Sequence, residues 1–155
     1  MINVDNIPIE ITYVSETVNE NWGNHTVDQW RVSLKNRNGK YESIDYFTGL
    51  GHRKQIKNTP PFPSNISKRS VAYKKWHYQY IRPVKPDVLT VLRSLILDCD
   101  MAGDNFNNFC GYFGLSNDSI KALDTYRACM ENREIMFRVF TRQEYEELKT
   151  LTEDK

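Results

Sequence analysis

No run of eighteen apolar residues occurs in this chain, and its opening, Met-Ile-Asn-Val-Asp-Asn, has no cationic stretch leading into an apolar one. The expectation is that neither a membrane span nor a secretory leader is present. Cysteine is scarce. Cys99, Cys110 and Cys129 form no CxxC pair, and an odd count argues against a disulfide framework. Each falls on an apolar face of an expected helix, which predicts reduced core thiols in a cytosolic protein. The three histidines, His25, His52 and His77, lie far apart, and none begins a metal-spaced pair such as HExxH. Gly49-Leu50-Gly51 lacks the third glycine and the following helix of a dinucleotide cradle. Asp98 and Asp100 flank Cys99 without a positioned base. Glu144, Glu146 and Glu147 resemble a solvated helix face. The expectation is therefore a non-enzymatic protein with no catalytic residue, no metal ligand and no cofactor.

Against these absences stands an ordinary globular composition: 39% hydrophobic and 12% aromatic residues in a chain of 155. That length suits one domain burying roughly two-thirds of its unfolded surface. The net charge of +1 conceals a strong asymmetry. Residues 1–51 carry a balance of −3, residues 52–93 one of +9, and residues 94–155 one of −5. Charge segregated in this way bears on partners rather than on fold.

Ile7, Ile9, Ile11 and Tyr13 alternate with Pro8, Glu10, Thr12 and Val14, the period of a strand with one buried face. Pro8 marks an edge strand or the start of one. Residues 19–25 are polar and read as a loop. Trp30, Val32 and Leu34 alternate next, and Asn36-Arg37-Asn38-Gly39 is a hairpin signal leading into a returning strand at Tyr41–Thr48. After Gly51 comes a connection punctuated by Pro60, Pro61, Pro63, Pro83 and Pro86, with one short helix expected over Ser67–Tyr80. A helix then opens at Pro86-Asp87, with Pro86 at its first position, and runs to about Asp98. Two short helices joined at Gly114 follow. Phe106, Phe109, Cys110 and Phe113 are expected to be buried on the first, and Ile120, Leu123, Tyr126 and Met130 on the second. Asp104 is the expected cap of the first, and Ser116 or Asp118 that of the second. A further short helix is expected around Ile135–Phe140, and Thr141-Arg142-Gln143-Glu144 has the spacing of a capping box before the last. The whole reads as an α+β domain over 1–155. A three-stranded antiparallel meander (1–51) packs, through a basic and aromatic connection (52–85), against a helical layer (86–152).

Two surfaces are candidates for binding. The first is the basic, aromatic segment, with Lys68, Arg69, Tyr73, Lys74, Lys75, Trp76, Tyr78 and Arg82. Cations interleaved with rings can neutralise phosphates while stacking on bases, or meet an acidic protein. The plainer reading is that the rings pack and the cationic heads reach water. The second is the helix pair around Gly114, read as a helix-turn-helix in which Ser116, Asn117, Ser119 and Lys121 reach DNA. Asp118 and Asp124 would face phosphate with the wrong sign, and two packed helices are also simply a way to build a core.

Asp45-Tyr46-Phe47-Thr48-Gly49-Leu50-Gly51-His52-Arg53, Pro83-Val84-Lys85-Pro86 and the stretch from Phe106 to Cys129 resemble a group of small proteins encoded by bacteriophages and prophages. The resemblance spans about Trp30–Cys129 and brings no catalytic residue with it. It implies an accessory protein in the cytoplasm of an infected bacterial host, inhibiting a host defence protein or ribonucleoprotein effector in the manner of an anti-CRISPR. Direct contact with nucleic acid is compatible with that role, and no membrane is involved. The alternative is a helix-turn-helix DNA-binding regulator.

Overall fold

The computed structural model describes residues 2–19, 25–55, 60–62, 67 and 69–153, with the side chains of Asn19 and Tyr78 outside that description. Three antiparallel strands come first: β1 (Ile9–Asn19), β2 (His25–Lys35) and β3 (Tyr41–Gly49), in the order β1-β2-β3. The hairpin at residues 36–39 forms as its residues demand. The Asn36 side chain accepts hydrogen bonds from the N–H groups of Asn38 and Lys40, and Gly39 takes the positive φ of 87°.

Alternation along β2 places Trp30, Val32 and Leu34 in the core, and cross-strand partners Ile11 and Ile44 flank Val32. β1 departs from the expected pattern. Val4–Asn6 forms a 3-10 turn, Ile7 is buried beyond its end, and the strand starts only after Pro8. Between Tyr13 and Ser15 the register shifts by one residue, and Tyr13 is 40% exposed rather than core.

α1 (Val71–Tyr80) is shorter than the expected 67–80 helix because Ser70 caps it, accepting from the Tyr73 N–H. On either side of α1, β4 (Arg53–Gln55) and β5 (Ile81–Pro83) pair as a small second sheet that periodicity did not reveal, each being three residues long. α2 (Val88–Ala102) follows. Asp87 is its cap, accepting from the Thr90 N–H, so Pro86 lies before the helix rather than at its first position.

α3 (Phe106–Phe113) is capped by Asn105, not Asp104, and ends at Gly114 with φ 67°. α4 (Ile120–Val139) is capped by Ser119, not by Ser116 or Asp118, and runs unbroken through the region expected to hold a separate helix at 135–140. α5 (Arg142–Glu153) opens with the reciprocal capping box: Glu144 N–H to Thr141 Oγ1 at 3.1 Å and Thr141 N–H to Glu144 Oε1 at 2.8 Å.

The main core joins the inner sheet face to α2, the end of α4 and α5, through Ile11, Trp30, Val32, Leu92, Met136 and Leu148 among others. The architecture is therefore α+β, a meander covered by helices. α5 belongs fully to this core. Tyr145 is buried and donates to Asp100 at 2.6 Å, Lys149 pairs with the same carboxylate at 2.7 Å, and Glu147 accepts from the Ile2 N–H. The acids of α5 are thus partly structural: Glu144 caps and Glu147 ties down the N-terminal segment.

A second apolar cluster gathers Ala102, Phe109 and Cys129 with Phe113, Leu115, Tyr126 and Met130. The face of α4 is only in part the expected one, since Tyr126 and Met130 pack into this cluster and Ile120 and Leu123 do not. Ala122, Thr125 and Cys129 are buried, whereas Ile120 is 79% exposed and Leu123 39%. All three cysteines are free and buried, and burial pushes the Cys99 and Cys129 thiols up to about 12. A thiol reagent should therefore leave the native protein unlabelled and modify all three only after denaturant is added. Rapid native labelling at any of them would contradict their burial.

Candidate functional site

Helix α1 sorts its side chains by chemistry. Tyr73, Trp76, His77 and Tyr80 recur at three- and four-residue steps on one face. Phe62 stands edge-on to Tyr73 at 5.1 Å and tilted to Trp76 at 5.4 Å, and Tyr73–Trp76, Tyr73–His77 and Trp76–Tyr80 follow at 5.8, 5.9 and 6.1 Å. Trp76 Nε1 donates to the Pro60 carbonyl at 3.0 Å. Of the expected binding aromatics, Tyr73 and Trp76 are thus half-buried members of a ring cluster that holds α1 against the 60–62 segment. On the opposite face Val71, Lys74 and Lys75 are exposed, and with Gln79 and Arg82 they line a shallow depression. Arg69 is exposed just before the helix. Lys68 and the Tyr78 side chain lie outside the described residues.

One cation of the basic segment is not available to a partner. Arg53, at the start of β4, reaches back to the main sheet: Nη2 lies 2.6 Å from Asp28 Oδ1, Nε 3.0 Å from Asp28 Oδ2, and Nη2 3.0 Å from Glu16. Asp28 is 1% exposed, and Tyr13 donates to it at 3.1 Å. This bidentate pair raises the guanidinium pKa still further. It fastens the small sheet, and α1 that packs on β5, to the meander. An acid on the inward face of β2 was the available signal in the sequence, since a buried carboxylate demands a partner.

The helix pair around Gly114 presents a different picture. Ser119 and Ser116 are engaged in the turn: Ser119 Oγ accepts from the Ala122 N–H and donates to the Ser116 carbonyl, while Ser116 Oγ donates to Asp118. Asn117 is tied to Asn107 across the turn at 3.2 Å, and Lys121 is exposed. Ile120 and Leu123, expected to be buried, are exposed instead.

Comparison with protein-family models, with curated proteins and with solved structures finds no match to this chain. Among the described residues no helix is long and apolar enough to cross a membrane, and no cluster of His, Cys, Asp and Glu has the makings of a metal site.

A third feature went unread in the sequence. A cleft of about 900 Å³ lies between β3, the small sheet, the 84–87 segment and α2, and reaches Phe113 and Asn132 of the helices behind. Asp87, Thr90, Ser94 and Asp98 form a polar stripe along α2 facing it. Tyr46 from β3 meets Ser94 across it, oxygen to oxygen at 3.4 Å. Burial raises the Asp98 carboxyl to about 6. Between the ordinary carboxylate range and that value the folded chain holds a proton that the unfolded chain has lost. Stability contributed by this group therefore falls as pH rises across that window, and at neutral pH the ionised carboxylate opposes folding.

Proposed function

We propose that this protein is a non-enzymatic binding protein that engages a polyanionic partner, a nucleoprotein or its acidic protein surface, through the cationic face of α1. One observation carries the reading. The rings of α1 are consumed in packing, which orders the helix, while Lys74 and Lys75 project from the other side over a depression that Arg82 also lines. A cationic face held on an ordered helix loses little entropy on binding and steers an anionic partner towards itself. The segment's +9 balance on a chain of net +1 supports the same reading. The resemblance to phage-encoded accessory proteins favours a host defence effector of the CRISPR type as that partner, with the protein acting as its inhibitor.

The triple variant Arg69→Glu, Lys74→Glu, Lys75→Glu tests it. Its thermal unfolding should match the parent, because the substituted heads are solvated. Its capture of partner from host lysate, and its binding to single-stranded RNA and random duplex DNA at two salt concentrations, should fall at least about tenfold. Asn117→Ala with Lys121→Ala should change binding little. Under the helix-turn-helix alternative the weighting reverses, with Asn117 and Lys121 controlling sequence preference. Undiminished binding by the Glu variant overturns the proposal.

A further inference from the structure

We propose that the cleft between the small sheet and α2 is a binding site for a nucleotide whose base carries an exocyclic amino group. The two walls of the cleft differ in character. His52, Lys54 and Lys85 come from the side of the small sheet, where the register Arg53↔Pro83 brings His52 and Lys85 to the same end of the β4–β5 ladder. Neither lysine is used in an ion pair among the described residues, whereas Arg53 is committed to Asp28 and Glu16. This wall suits a phosphate.

The opposite wall is α2. Of the aspartates facing the cleft, Asp87 caps α2, and Asp45 is an exposed residue of β3 at the cleft's outer side. Asp98 is half-buried, and it accepts no hydrogen bond from any described residue. Its oxygens therefore stay open to the cleft, where an exocyclic amine can donate to them. Tyr46 and Phe113 add aromatic surface on which a base can stack.

Other ligand chemistries satisfy only part of this. Inorganic phosphate answers the lysines and leaves Asp98 and the rings unused. A cationic side chain from a protein answers Asp98 but meets Lys54, Lys85 and His52 on the way in. The volume of about 900 Å³ lies within the range of about 300–1,000 Å³ usual for small-molecule sites and leaves room for a nucleotide. No residue of α1 lines the cleft, so this site is independent of the partner-binding face.

Isothermal titration calorimetry on the full chain, with AMP, IMP, CMP, UMP, adenosine and inorganic phosphate, tests the proposal. AMP or CMP should bind, with its deaminated counterpart (IMP or UMP) about tenfold weaker, as expected for one lost hydrogen bond to a carboxylate. Adenosine and inorganic phosphate should each bind at least about tenfold less tightly than AMP or CMP, since each lacks one half of the recognition. Lys54→Ala with Lys85→Ala, both at the protein surface, should lower nucleotide affinity by a similar factor without moving the melting temperature. The isosteric Asp98→Asn should lower it while narrowing the gap between amino and deaminated bases. Lys74→Glu with Lys75→Glu should leave nucleotide binding unchanged, whatever it does to partner capture. Absence of AMP and CMP binding at about 1 mM, equal binding of the deaminated bases, or loss of binding only in the Lys74/Lys75 variant overturns the proposal.

Discussion

Asp28→Ala should destabilise the protein by about 3–5 kcal/mol, the loss expected when one partner of a buried ion pair is removed and the other charge remains. Arg53 is 9% exposed at its side chain and Asp28 1%, so neither charge can recover water where it stands. The bidentate geometry supplies two of the hydrogen bonds that Asp28 accepts, and Tyr13 supplies a third. With the carboxylate gone, Arg53 retains, among the described residues, Glu16, whose side chain is 49% exposed. Urea unfolding at neutral pH measures the effect. Replacing both partners with apolar residues of similar size, Asp28→Leu with Arg53→Met, should be milder than either single truncation, because it removes the uncompensated charge as well as the pair. Glu16→Ala, at the exposed end, should stay within about 0.5 kcal/mol. A loss below about 1 kcal/mol for Asp28→Ala would mean that the small sheet is not fastened through this pair. Because β4 and β5 frame both the cleft and the base of α1, the same variant should also loosen the two candidate surfaces, seen as raised amide exchange in residues 71–83.

Phe109→Ala should cost about 3–5 kcal/mol, while Ile120→Ala, eleven positions later, should cost less than about 0.5 kcal/mol. Phe109 is 0% exposed and stacks against Phe113 at 4.6 Å and edge-on to Tyr126 at 5.1 Å. Its removal opens a cavity between α2, α3 and α4 that neighbouring helices can only partly close. Ile120 sits on the first turn of α4 at 79% exposure, so truncation removes surface that water already covers. The contrast separates the structure from the periodic reading, which gives the two residues equal standing. Comparable losses at both sites would mean that α4 is rotated from the orientation described.

Local chemistry in the sequence was enough for the elements whose causes are local. The Asn-Arg-Asn-Gly turn needs an Asn side chain to hold its own backbone and a glycine at positive φ, and both are within four residues. The capping box at Thr141 and Glu144 closes over three. Alternation in β2 sufficed for the buried row Trp30, Val32 and Leu34, because one sheet face had to be covered. From these, together with the order of strands before helices, the α+β class followed.

What the tertiary structure decided is everything that depends on which face is covered. Packing turned Ala122, Thr125 and Cys129 of α4 inward, with Tyr126 and Met130 beside them, and left Ile120 and Leu123 exposed on its first turn. Periodicity picks out large apolar side chains, and so it marked Tyr126 and Met130 correctly but also Ile120 and Leu123, which no neighbouring element among the described residues covers. The pairing of β4 with β5 across more than twenty-five residues, the Arg53–Asp28 clasp, and the assembly of Lys54, Lys85 and Asp98 around one cleft join positions with no sequence spacing to betray them. Contacts between distant segments are set by the shape of the whole packed chain. A charge balance read along the sequence could therefore mark residues 52–93 as basic, but only the fold could divide those cations between a buried clasp, an exposed helix face and the wall of a cleft.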